Sequence, residues 1–372
     1  MKDKIKVAQI IGRTLNGGVE NLILNYYLNI DRSKVEFDFF VEKECDMINS
    51  EKISALGGKV ILIPSYKHIF RYTKCLKKIF EENEYDIVQA NLNALSVFPL
   101  RAAKKAKIKC RVANSLSTSN RKEFIRNFIK NVLRRFSKLY ATHYFACSDL
   151  CGTRLYGKNI LNNDKYYKIN NAIEETKYTY NPLYRNELIA KHNLENKLVI
   201  GNIGRLENQK NQMFLLDVFK CIKEKKPSSS LILIGDGTLY SSLRERACNL
   251  GVSNDVIILT SKEVGVRDSA LKYYSVFDYF VLPSLYEGLP TVGIEAQISD
   301  LPCFFSNTIT KETTLFEKCK YLSLKDGPEK RADEILSYKI KERNNRYCKD
   351  YDSGEQGKKL LEIYNKIYKE IN

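Results

Sequence analysis

The chain has 372 residues, 44% hydrophobic and 28% charged, so it suffices for two globular cores and is too apolar for a disordered protein. No run of eighteen apolar residues occurs, which excludes a membrane-spanning helix. The 61 Lys and Arg exceed the 44 Asp and Glu by a net +17, a charge that attracts phosphates of a nucleic acid or an anionic membrane surface.

The N-terminal MKDKIKVAQIIG lacks a secretory leader's long apolar stretch and reads as the approach to a first strand over 5–11, so a cytoplasmic location is expected. The loop 13–18 ends in Gly17 and Gly18, and 19–30 follows as a helix with Leu22, Ile23, Tyr26 and Tyr27 at apolar spacing. Strand, glycine loop and helix open a doubly wound sheet. Adjacent glycines allow close backbone approach to a ligand, although a plain turn uses them equally. Strands are predicted at 37–43, 59–65 and 85–91, with a helix over 68–82; alternating β and α elements imply a parallel sheet with right-handed crossovers.

Residues 101–138 differ in kind. Thirteen Lys and Arg stand against Glu123 alone, and 123–140 spaces Phe124, Phe128, Val132 and Phe136 as one apolar helix stripe with cations between. A basic amphipathic helix suits an anionic membrane surface, and equally an ordinary helix docked in the core with its charges solvated. Segments 144–149 and 166–174 close the first half as strands, and the polar stretch 173–196 reads as the connection. The pattern then restarts: strand 197–203, a basic loop with Arg205 and Lys210, helix 213–225, strand and turn 231–237, helix 241–250, and strands at 256–260 and 278–283. An amphipathic helix over 354–370 ends the chain. The expected division is 1–172, 173–350 and the closing helix in 351–372.

The chain is organised around 278–297, DYFVLPSLYEGLPTVGIEAQ. A buried strand stops at Pro283, and Pro290 suits the first position of a helix. Glu287 therefore sits in the strand-to-helix loop and Glu295 about 7–8 Å along the helix axis. Between them lie the free N–H groups of a helix start, which attract anions. Two carboxylates flanking an anion site match a ligand with hydroxyls at both ends and phosphate in the middle, the shape of a sugar nucleotide; a solvated surface loop is the competing reading. Arg205 can clamp two phosphate oxygens while Lys210 adds a point charge. Gly235-Asp236-Gly237 reads as a tight turn. The ten cysteines have no paired metal spacing, and three histidines poorly support a metal site or a catalytic triad.

Taken together, GGVE (17–20), INNAIE (169–174), GRL…QKN (204–211), LIGDG (233–237) and EGLPTVGIE (287–295) resemble the retaining glycosyltransferases of family 4 (glycosyl transferases group 1), nearest in look to bacterial capsule and exopolysaccharide enzymes. The resemblance implies the GT-B fold: α/β, two Rossmann-like parallel-sheet domains facing across a cleft, with a C-terminal helix packing back on the N-terminal domain. It assigns Arg205 and Lys210 to the donor diphosphate, Glu287 to the donor sugar and Glu295 to the ribose. Gly288, Leu289 and Pro290 would line the diphosphate, with Gly17 and Gly18 approaching it from the other domain. It implies a nucleotide-diphosphate sugar, UDP-linked, as co-substrate, no metal or other cofactor, a lipid-pyrophosphate-linked glycan as acceptor, and 101–138 against the membrane. Relatives often carry histidines where this chain has Asn91 or Asn93, and Asn114; asparagine can hydrogen-bond a sugar but cannot shuttle a proton. An epimerase acting on the same donor, an inactive partner subunit and a nucleic-acid binder remain alternatives, though the aromatics of the basic stretch lie on its apolar stripe rather than among its cations.

Overall fold

A computed structural model describes residues 4–12, 18–43, 49–116, 133, 135–265 and 270–371. The chain forms two compact units, residues 1–174 with 349–372, and residues 175–348.

The first unit begins with β1 (Ile5–Gly12), whose near-continuous apolar run is buried on both sheet faces. After it come α1 (Gly18–Asn29), β2 (Val35–Glu42), α2 (Ser50–Ala55), β3 (Lys59–Ile63), α3 (Ile69–Asn83), β4 (Ile87–Ala90), α4 (Val97–Lys105), β5 (Cys110–Ser115), β6 (His143–Ala146), α5 (Asp149–Tyr156) and β7 (Tyr166–Lys168). The seven strands pair in parallel in the order β3-β2-β1-β4-β5-β6-β7. The order turns back beside β1, and an open α/β sheet receives ligands at that switch point, beyond the carboxyl ends of its strands.

The C-terminal helix (Ser353–Ile371) belongs to this unit. Leu360, Ile363, Tyr364 and Ile367 recur at helical spacing and join a core with Tyr27, Phe37, Phe39 and Val112. Gly357 makes the approach to α1 possible, because a Cβ there would press on the carbonyl of Asn29. Tyr27 stacks on Phe37 at 5.0 Å, and Tyr364 meets Phe37 edge-on at 6.0 Å. The helix thus packs back on the N-terminal unit, as the resemblance implied. The opposite sheet face carries α3 and α4, with Tyr72, Leu76, Phe80 and Leu100 buried.

The second unit repeats the plan. α6 (Pro182–His192) precedes β8 (Leu198–Ile203), α7 (Gln212–Lys225), β9 (Ser229–Ile234), α8 (Tyr240–Asn249), β10 (Val256–Leu259), α9 (Ser261–Val264), β11 (Tyr279–Leu282), α10 (Thr291–Ile298), β12 (Cys303–Ser306), β13 (Cys319–Leu322) and α11 (Pro328–Leu336). Its six strands run in the order β10-β9-β8-β11-β12-β13, again all parallel, so the switch falls between β9 and β11, beside β8.

Two local expectations differ, and a third lies mostly outside the described residues. The stretch 173–196 holds a helix, α6, capped by Asn181 and opened by Pro182; it looked like a connection because Leu188 is its one buried residue. Residues 169–174 do not continue β7 but contribute a single bridge, Ile173 to Asp352. The amphipathic stripe of 123–140 falls largely on residues outside the described set, as do Arg121, Lys122, Arg126, Lys130 and Arg134. Among the described residues, no helix is long and apolar enough to cross a membrane.

Candidate functional site

Two loops of the second unit, at the carboxyl ends of neighbouring strands β8 and β11, are joined by hydrogen bonds along their length. The carbonyl of Gln209 accepts from the Leu285 amide at 2.8 Å, and Asn211 Nδ2 donates to the Pro283 carbonyl at 3.2 Å. Asn211 takes the left-handed conformation, φ 58°, which turns the chain sharply into α7. Lys210 Nζ lies 2.7 Å from Glu287 Oε1, with the two side chains 12% and 8% exposed. Gln209 Nε2 donates to Glu287 Oε2 at 3.3 Å and to the Tyr286 carbonyl at 3.0 Å, while its Oε1 accepts from Arg205 at 3.0 Å.

Arg205, Gln209, Lys210 and Glu287 therefore form one continuous chain of contacts, with the Arg205 end open to solvent. Lysine has three donors, of which Glu287 takes one, so its ammonium can still meet an anion. A pair this buried holds its geometry because neither charge can leave without exposing the other to low dielectric.

Glycine spacing fits the loops together. The Lys210 stem runs past Gly204, where a Cβ would lie 3.1 Å from Lys210 Cε. Gly235-Asp236-Gly237 is more than a turn: a Cβ on Gly235 would collide with the Gly204 carbonyl, and one on Gly237 with the backbone of Leu206. The Leu206 amide donates to the Asp236 carbonyl at 2.8 Å, and Glu207 caps Thr238 with both carboxylate oxygens. The β9 loop is the bed on which the basic loop lies.

Pro290 is the residue before α10 rather than its first residue, with φ −71° and ψ 108°, and no side chain caps that helix. Gly288, Leu289 and Pro290, at the end of the same loop, are buried. Glu295, on the second turn, is 3% exposed and accepts a 2.7 Å hydrogen bond from the Tyr274 hydroxyl, itself buried. A carboxylate held by a core tyrosine has one oxygen fixed and its plane set.

In the first unit, Gly17 lies outside the described residues. Gly18 opens α1, is exposed, and has nothing within 4 Å of where a Cβ would stand, so no packing demand explains its lack of a side chain. Asn114, 7% exposed near the end of β5, donates through Nδ2 to Asn91 Oδ1 at 2.8 Å. Asn91 belongs to a closed ring: Gln9 Nε2 donates to Tyr364 OH (3.0 Å), Tyr364 OH to Gln89 Oε1 (2.7 Å), Gln89 Nε2 to Asn91 Oδ1 (3.1 Å), and Asn91 Nδ2 to Gln9 Oε1 (3.0 Å). Every member both gives and receives in one rotational sense, so each bond polarises the next. Asn93 Oδ1 holds the Leu116 amide at 2.9 Å. Sequence reasoning missed Gln209, whose signal was its place inside QKN, and Tyr274 and the ring, which had none. Among the described residues no three His, Cys, Asp or Glu gather as a metal-binding group.

The model of the family described as "Glycosyl transferases group 1" matches residues 185–350. The chain is 30% identical over 316 residues to EpsF of Bacillus subtilis (strain 168), which is named as a candidate glycosyltransferase, across 82% of this chain and 80% of that one. It is 24% identical to the UDP-Gal:alpha-D-GlcNAc-diphosphoundecaprenol alpha-1,3-galactosyltransferase of Escherichia coli, across 82% and 80%. Among solved structures, Anabaena HepE in complex with UDP and glucose superimposes with a TM-score of 0.74 at 16% identity, covering 98% of this chain and 99% of that one.

Proposed function

The chain belongs to the glycosyl transferases group 1 family, and from that premise we propose that it moves a sugar, with retention at the anomeric carbon, from a UDP-linked donor to a lipid-pyrophosphate-linked glycan in capsule or exopolysaccharide synthesis. The observation that carries the reading is the contact chain from exposed Arg205 through Gln209 to the largely buried Lys210–Glu287 pair, on loops at the carboxyl ends of β8 and β11, with Glu295 buried on the helix that follows. The donor and acceptor classes are supported by the words in the E. coli relative's name and by the UDP and glucose in the HepE structure.

The reaction breaks the bond between the anomeric carbon and the β-phosphate oxygen and forms one from the acceptor hydroxyl oxygen on the same face. The acceptor's proton passes to the departing phosphate oxygen. Negative charge grows on the diphosphate as the bond breaks, and Arg205, Lys210 and the uncapped start of α10 are the groups aligned to meet it. In this reading they take the part that a divalent cation would otherwise play. Glu287, held from both sides by Lys210 and Gln209, accepts hydrogen bonds from donor-sugar hydroxyls, and Glu295 from the ribose. Gly288, Leu289 and Pro290 shape the diphosphate site, and Asn114 hydrogen-bonds the acceptor. The cations of 101–138 hold the enzyme to the inner face of the cytoplasmic membrane.

The pair dictates the choice of variant. Removing one partner outright would strand the other's charge at a cost of about 3–5 kcal/mol, so Glu287→Gln, which keeps the shape and an acceptor for Lys210, is the informative change. Radiolabelled transfer from UDP-sugar to a lipid-linked acceptor should fall at least a hundredfold, with the melting temperature within a few degrees of the parent. Turnover equal to the parent's would sink the assignment.

A further inference from the structure

Gln9 of β1, Gln89 of β4, Asn91 just beyond it and Tyr364 of the C-terminal helix, the members of the hydrogen-bonded ring, are each 3% exposed or less. Val7 and Ile11 flank Gln9 on the same face of β1 and belong, with Tyr364, to an apolar core. Hydrogen-bonded partners replaced together by apolar groups of the same shape can leave stability unchanged or raised, so stability alone does not call for a polar ring here. What an apolar core would not do is hold Asn114.

Asn91 Oδ1 receives Gln89 Nε2 at 3.1 Å and Asn114 Nδ2 at 2.8 Å. Among the described residues this is the one hydrogen bond of the Asn114 side chain, so its carbonyl and a second N–H are left for a ligand. Asn114 stands near the carboxyl end of β5, the end at which open α/β sheets receive ligands. Reversing the whole ring would exchange carbonyl and amino group at Asn91, and Asn114 would have to follow. It cannot turn alone without setting two carbonyls or two amino groups against each other.

Tyr364 closes the ring. It lies edge-on to Phe37 at 6.0 Å and tilted on Phe145 at 6.3 Å, which fixes where its hydroxyl points. Burial pushes its phenol pKa up, so the hydroxyl keeps its proton and gives to Gln89 while receiving from Gln9.

We propose that Tyr364 is a positioning residue for the acceptor: acting through the ring, it fixes the amide that Asn114 turns toward a sugar hydroxyl. The proposal rests on the acceptor contact assigned above to Asn114, and it brings the C-terminal helix into the recognition of the acceptor.

Acceptor and donor KM of the full chain, measured by radiolabelled transfer, test it in Asn114→Ala, Tyr364→Phe and the double variant. Asn114→Ala loses one hydrogen bond to substrate and should raise the acceptor KM roughly tenfold. Tyr364→Phe should raise it severalfold, leave the donor KM within twofold, and add nothing in the double variant. Gln9→Met opens the ring at a second point and should repeat that split. Ile367→Val, on the same helix and outside the ring, should lower the melting temperature and leave the acceptor KM alone. With asparagine side chains isotope-labelled and no substrate present, the Asn114 amide signal in NMR spectra, known by its absence from Asn114→Ala, should shift in Tyr364→Phe. An acceptor KM raised in Asn114→Ala but within twofold of the parent's in Tyr364→Phe and Gln9→Met would overturn the proposal. So would a Tyr364→Phe effect undiminished in the double variant, or an Asn114 signal that does not move. An unchanged acceptor KM in Asn114→Ala, or a parent that transfers nothing, would overturn the acceptor contact on which the proposal rests; a shifted amide signal would then show that the ring still holds Asn114, which tells the two failures apart.

Discussion

Tyr274 reaches Glu295 from inside the core of the second unit, and the 2.7 Å hydrogen bond between them fixes a carboxylate that would otherwise rotate. Tyr274→Phe removes one hydroxyl and no volume. A buried acceptor deprived of its donor costs about 1–3 kcal/mol, and a loosened Glu295 should hold a ribose less well. Calorimetric titration with UDP should therefore show the Kd raised severalfold, together with a lowered melting temperature; an unchanged Kd would separate Glu295 from the nucleotide. The backbone of Tyr274 is held as firmly, since its carbonyl accepts from Arg343 at 2.8 Å. Burial lowers the Arg343 guanidinium pKa to about 10, still far above neutrality, so the strut remains charged. Glu287 and Glu295 stood out in the chain as charges in an otherwise apolar stretch, and Lys210 as a cation in the basic loop after β8. Tyr274 was not, since it lies 21 residues from its partner in a run of apolar and aromatic neighbours that look like any core. Gln209 was hidden differently, as one polar residue among several in a loop whose cations drew the attention.

The elements of the second unit show how a loop is shaped by what lies beneath it. Gly237 faces the backbone of Leu206, which cannot swing aside as a side chain would. Gly237→Ala should destabilise the unit by about 1–3 kcal/mol through overpacking and displace the Arg205 loop with it. Gly327→Ala is the matched control: φ is −68° and nothing lies within 4 Å of its Cβ position. Denaturant melts of the pair should separate by that amount, and equal midpoints would refute the account of the β9 loop. The apolar strands β1, β8, β9 and β11 were legible because burial on both faces makes a hydrophobic run. β5, β12 and β13 escaped: Cys319–Leu322 is four residues with an exposed Lys320, and β5 lies within a stretch whose cations dominated its pattern. α6 escaped because a surface helix with a single buried residue has almost no periodicity to read.

At the scale of the molecule, each unit holds a histidine whose pKa burial pushes below the ordinary 6.5. His143, 1% exposed, lies 3.0 Å from Thr142 Oγ1, 3.8 Å from Cys110 Sγ and 3.4 Å from Glu370; the carboxylate pulls its pKa back up in part, and Lys165 and Arg111 push it further down. His192 is lowered by burial and by Lys191, and its Nε2 lies 2.8 Å from the Tyr273 hydroxyl. Between the folded and unfolded pKa values the unfolded chain binds more protons, so stability rises with pH across that window and falls as pH drops below about 6.5. Urea midpoints should therefore decline between pH 7 and pH 5.5, and less so in His143→Gln/His192→Gln; an identical decline in the double variant would clear both residues. The ring of Gln9, Gln89, Asn91 and Tyr364 bears on a different matter, the order of manufacture. Three of its members leave the ribosome within the first hundred residues, and the fourth arrives only after the whole of 175–348 has been made. The second unit can thus finish folding while the first still waits with a polar gap in its centre, and the last turns of the chain act as the closing stitch.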